Sequence, residues 1–115
     1  MPQVIVVPET DEYKLHVSHE NVVWINSRLG IPNLNGRNVH YLAPYWITAG
    51  FRGVNRVYHI ANVRQSEDGT TIINLGNSFV IDEPWNNMGQ PVRFEYHSLS
   101  KFGLEEIEEG LLKRI

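Results

Sequence analysis

The side chains of this 115-residue chain that could do chemistry are five histidines, thirteen carboxylates, scattered hydroxyls and a set of large rings. His16 and His19 stand three apart, a spacing that suits two metal ligands on one turn of helix. Their segment reads as strand or loop, however, and no third ligand follows at a recognisable interval, so the histidines read as a scattered set and no metal site is expected. Asp82, Glu83 and Glu95 fall in an expected loop and an expected strand, with nothing to pair them as acid and base. No serine sits in a Gly-x-Ser-x-Gly element, and the glycines form neither a Walker nor a dinucleotide pattern. The absence of cysteine removes thiolate nucleophiles, thiolate metal sites and disulfides together. No catalytic residue and no cofactor is assigned, and the chain is expected not to be an enzyme.

Rings and cations remain. Trp24, Tyr41, Tyr45, Trp46 and Trp85 lie in or near expected loop boundaries, and all but Trp85 fall within residues 21–66, which contain no Asp or Glu. Arg28, Arg37, Arg52, Arg56 and Arg64 all lie in that stretch, while the carboxylates crowd the ends: Glu9, Asp11, Glu12 and Glu20 early, Glu105, Glu106, Glu108 and Glu109 late. A surface of one sign attracts a polyanion even on a protein whose formal charge is −3, because the field near a patch follows the local charge. Aromatic faces and guanidinium planes are what unpaired bases stack upon, and neighbouring Asn or Ser groups read base edges. Two plainer readings stand beside this one. The arginines would be neutralised if they paired with the terminal acids across the fold, and tryptophan and tyrosine in a small β-fold mostly fill the interior.

The elements that must position these groups are mainly strands. Val4, Ile5, Val6 and Val7 form an apolar run closed by Pro8, the pattern of a strand inside a sheet. Val22, Val23, Trp24 and Ile25 make a second run. Gly30, Pro32, Asn33, Asn35 and Gly36 mark a long loop. Residues 39–43 resume strand character up to Pro44, and residues 54–64 alternate as the clearest strand. Asp68-Gly69 predicts a hairpin returning along residues 70–75. Gly76 and Asn77 predict a bulge before Phe79, Val80 and Ile81. Residues 82–91 read as a loop, and residues 92–96 as a last strand. Ser100 as a cap, with Leu104, Ile107 and Leu111 at helical spacing and Leu112 beside them, predicts a C-terminal helix with its glutamates outward.

A chain of this length and composition is expected to fold as a single domain over residues 1–115 without metal or disulfide support. Its first residues carry no cationic segment of a signal peptide, and no apolar run approaches the roughly 20 residues that span a bilayer. A cytoplasmic location without membrane attachment is therefore expected.

The opening strand Val4-Ile5-Val6-Val7-Pro8, the block Tyr41-Leu42-Ala43-Pro44-Tyr45 and the strand Val57-Tyr58-His59-Ile60-Ala61-Asn62-Val63 resemble the PUA-like superfamily, in particular its EVE and ASCH-type members. The resemblance implies an α+β, mainly β fold: a small, curved, antiparallel-rich barrel with flanking helices, here the C-terminal one. It also implies a concave face that binds DNA, RNA or a modified base. By position in that fold, Trp24 with Asn26 and Ser27 would line the pocket, and Tyr45 and Trp46 would form a further wall. Arg28, Arg52 and Arg56 would contact phosphates, since such contacts set affinity and register. The expectation is a non-catalytic nucleic-acid-binding domain, with a separate effector protein as a second candidate partner. The alternative is a protein-interaction or assembly domain, in which exposed rings anchor a partner and a strand edge pairs with another chain.

Overall fold

A computed structural model of the chain describes residues 3–10, 22–25, 34, 38–47, 50, 52–86 and 94–115. Their elements run β1 (Gln3–Thr10), β2 (Val22–Ile25), β3 (Val39–Ile47), β4 (Arg52–Gln65), β5 (Thr71–Trp85), β6 (Glu95–Ser98), a 3-10 helix (Leu99–Phe102), β7 (Leu104–Glu108) and β8 (Leu111–Arg114). The first six strands form one sheet in the order β2-β5-β4-β3-β1-β6, and β7 and β8 form a separate hairpin. Two corrections to the expected fold follow. The six-stranded sheet is open, with β2 and β6 as its edges, so it is not a barrel. No α-helix is present among the described residues, and the fold is mainly β.

The run Val4, Ile5, Val6 and Val7 becomes β1, placed between β3, which it meets in parallel, and β6, antiparallel to it. A strand covered on both faces needs apolar residues at consecutive positions, and all four side chains are buried. Alternate residues feed two separate cores. Val4 and Val6 join Tyr41, Ala43, Tyr45, Val54 and Val57 on one face. Ile5 and Val7 join Val23, Leu42, Ile73 and Leu75 on the other.

The first core is closed by the end of the chain. Leu99 and Phe102 of the 3-10 helix, Leu104 of β7 and Leu112 of β8 pack onto that face of the sheet. This is where the expected C-terminal helix fails. Gly103 and Gly110 take positive φ of 71° and 85°, the first ending the 3-10 helix and the second turning β7 into β8. A glycine inside a helix would cost about 1 kcal/mol against alanine, whereas each here sits where a left-handed residue is required. The leucine spacing that suggested a helical stripe is split, because Leu104 and Leu112 are buried while Ile107 and Leu111 face outward.

Two further strands run past their expected ends. β3 continues through Pro44, which falls where pairing with β4 is irregular, between Leu42↔Tyr58 and Trp46↔Gly53, and a residue without an N–H is tolerated at such a break. β5 extends to Trp85, which pairs with Val54, while Val80 pairs with Arg56. Five steps of β5 thus oppose two of β4, and Pro84 is accommodated in the surplus. The expected bulge at Gly76 and Asn77 is present, since Tyr58↔Ser78 and Ile60↔Leu75 leave one extra residue on β5.

The expected hairpin turn joins β4 to β5. Ser66 Oγ donates to Asp68 Oδ1, as does the Thr70 amide at 3.0 Å, and Gly69 takes φ of 87°. The Ser66 hydroxyl, then Thr70, hold the Asp68 carboxyl down at about 2. A carboxyl depressed in the folded state favours folding above its unfolded pKa near 4, and that contribution is lost as pH falls through about 2. Carboxyl-detected NMR should therefore give Asp68 a midpoint near 2 that rises toward the ordinary range in a Ser66→Ala variant. A wild-type midpoint near 4 would contradict this turn geometry.

Candidate functional site

The bulged end of β5 and the C-terminal elements enclose an open groove of about 500 Å³. Ile81, Trp85 and Phe102 supply its apolar lining, and Glu83, Lys101 and Arg114 its charges. Trp85 is half-buried, held by three rings that meet it steeply: Tyr45 at 88°, Phe102 at 65° and His97 at 59°, with centroids 5.1 to 6.2 Å away. None of these lies parallel on the indole. His97 is itself held by Glu95, with Nε2 3.0 Å from Oε1.

Asn86 connects this end of β5 to the sheet. Its Oδ1 accepts from the Tyr45 hydroxyl at 3.0 Å, and its Nδ2 donates to the Arg52 carbonyl at 3.2 Å. Gly53 lets the two strands approach here, for a Cβ on it would stand 2.6 Å from the Trp85 carbonyl oxygen. Arg52, exposed at the start of β4, is thereby tied through its backbone to a residue of the groove lining.

A second polar cluster ties the C-terminal hairpin to the sheet. The buried Tyr41 hydroxyl donates to Glu106 Oε2 at 2.6 Å and accepts from the Gly110 amide at 3.0 Å. Burial, and then the Glu106 carboxylate, push the Tyr41 hydroxyl above its usual pKa. Gly110 lies against the His59 ring, and His40 pairs with Glu109 at 3.0 Å. Glu105 pairs with Lys113 at 2.9 Å. The late glutamates thus partner the hairpin's own lysine, a histidine and a tyrosine. Among the described residues, none of Arg52, Arg56 and Arg64 is ion-paired with them.

The residues expected to form one pocket are dispersed. Tyr45 is buried in the first core against Trp85, and the Arg52 carbonyl is bonded to Asn86 of the groove lining. Trp46 packs on the second core with Tyr58, because neighbouring residues of a strand point to opposite faces. Arg56 donates from Nη1 to Ser78 Oγ at 2.8 Å; Ser78 pairs with Tyr58, so Arg56 belongs to the same side as Trp46. The backbone of Trp24 pairs with Ile72 at the β2 edge. Asn26, Ser27 and Arg28 lie outside the described residues, as do His16, His19 and the loop containing Pro32 and Gly36.

No family model, curated protein or solved structure matches the chain. The site is therefore argued from its own chemistry. Among the described residues no group of three or more histidines and carboxylates could hold a metal ion, and no helix is long and apolar enough to cross a membrane. Sequence reasoning placed neither Lys101 and Phe102 nor Asn86 at a site, since the first two belonged to an expected helix. The available signal was Trp85 itself, a large ring in a stretch otherwise rich in Pro, Asn and Gly.

Proposed function

We propose that this domain is a non-catalytic nucleic-acid-binding module that holds phosphates through the arginines of β4. The observation that carries the reading is that Arg52, Arg56 and Arg64 occupy one strand and, among the described residues, share no ion pair with the glutamates of the C-terminal hairpin. Glu105, Glu106 and Glu109 are engaged elsewhere, so among the described residues the charge of these three arginines is left for a partner. Arg56 retains free donors beyond the one given to Ser78, because a guanidinium carries five. Arg52 and Arg64 are exposed.

The interaction-domain alternative asks for exposed rings as anchors and for a strand edge to pair with another chain, and β2 and β6 are such edges. Tyr41, Tyr45, Trp46, Tyr58, Phe79, Trp85, Phe94, Tyr96 and Phe102 are buried or half-buried, and among the described residues the exposed large apolar ones are Val63, Val80, Ile107, Leu111 and Ile115. The burial of these rings counts against docking anchored by them.

Fluorescence anisotropy with labelled single- and double-stranded DNA and RNA at low salt tests it. The double variant Arg52→Glu, Arg64→Glu should bind its preferred strand on the order of tenfold more weakly than wild type, or worse, with an unchanged circular-dichroism spectrum. Equal binding by the two proteins would remove β4 from the interface.

A further inference from the structure

We propose that the groove beside Trp85 is a nucleotide subsite that takes one unpaired base of a single strand, stacked on the indole, with the adjoining phosphate on Lys101. This rests on the nucleic-acid reading above and gives it a place where the base goes.

The geometry supplies both halves of a nucleotide's chemistry. Tyr45, His97 and Phe102 meet Trp85 at 59° to 88° and so brace the indole by tilted and edge contacts, while the half-buried Trp85 still contributes to the groove lining. A ring held in this way loses little freedom when a planar group settles on it, which lowers the cost of binding. The groove's volume, about 500 Å³, falls within the roughly 300–1,000 Å³ typical of small-ligand sites. Its charges come from three walls, Glu83 from β5, Lys101 from the 3-10 helix and Arg114 from β8. An anionic phosphate is accordingly directed away from Glu83 and toward the C-terminal elements, where Lys101 is exposed.

The groove is also continuous with the proposed phosphate-binding strand. Asn86, an exposed residue of its lining, bonds the Arg52 carbonyl and the Tyr45 hydroxyl at once, and Trp85 pairs directly with Val54 of β4. A strand whose backbone passes Arg52 therefore reaches the groove without leaving this end of the sheet. Arg56, on the far face, would meet a different part of the polymer.

The test compares two labelled DNA single strands of equal length, one of thymidine nucleotides and one of abasic sites, which share phosphates and differ in bases. Trp85→Leu should weaken binding of the thymidine strand on the order of tenfold and leave the abasic strand unchanged, and Trp85→Phe should recover most of the loss. Lys101→Glu, at an exposed position, should weaken both strands and keeps the proposal testable if Trp85→Leu does not fold. Wild-type affinity for the thymidine strand in both Trp85→Leu and Lys101→Glu would overturn the subsite while leaving β4 as the phosphate contact. Failure of the wild-type protein to bind either strand at low salt would overturn the subsite and the nucleic-acid reading together.

Discussion

Replacing Gly53 by alanine is expected to destabilise the domain by about 3 kcal/mol or more, from a backbone conformation and a clash acting at one position. Gly53 takes φ of 131°, a region that costs a side-chain-bearing residue on the order of 1–3 kcal/mol. Its added Cβ would lie 2.6 Å from the Trp85 carbonyl oxygen and 3.4 Å from the carbonyl carbon. These are backbone atoms of a strand paired through Val54↔Trp85, so they cannot swing aside as a flexible side chain would. Relief would require β5 to move away from β4, carrying Trp85 and Asn86 with it. Urea denaturation should show the loss, and the groove should be disturbed in whatever fraction remains folded. A loss below about 1 kcal/mol would mean that the two strands do not approach as described.

Tyr41→Ala is expected to cost about 3–5 kcal/mol, the range for emptying a fully buried aromatic position. Tyr41 is wholly inaccessible, and its ring lies 5.5 Å from that of His59. Tyr41→Phe separates the hydroxyl from the ring. It keeps the packing but strips the Gly110 amide of its acceptor and Glu106 of its donor, and a buried donor left unpaired costs about 1–3 kcal/mol. The hairpin of β7 and β8 should loosen first, since this hydroxyl is its buried polar tie to β3, beside the more exposed His40–Glu109 pair. Amide exchange should therefore accelerate at Gly110 and Leu112 in Tyr41→Phe before it does in β1. Uniform acceleration across all strands would show that the hairpin unfolds only with the whole sheet.

What the sequence made legible was local. Four consecutive apolar residues from Val4 predicted an internal strand, the Asp68-Gly69 pair predicted the hairpin, and Gly76-Asn77 predicted the bulge; each depends on backbone preferences or face alternation within a few residues. The C-terminal segment misled because Leu104, Ile107 and Leu111 satisfy a helical period as readily as a hairpin that buries only Leu104 and Leu112. Only the sheet face awaiting cover decides between them, and that is a long-range fact. The weight of Gly103 and Gly110, both at positive φ, was present in the sequence and pointed the right way. The candidate site was less legible. Tyr45 and Trp46 are neighbours in a strand and so could not share a wall, which alternation alone foretells. Trp85 and Lys101 are brought to one groove by β5 crossing under the C-terminal elements, and no spacing in the chain encodes that meeting.

The most direct test of the central claim, that the arginines of β4 bind a polyanion, is the salt dependence of wild-type binding to a labelled single strand. If Arg52, Arg56 and Arg64 each displace a counterion, the logarithm of the association constant should fall linearly with the logarithm of salt concentration, with a slope of about −2. Affinity that stays constant across the salt series, or no binding at its lowest point, would contradict the account.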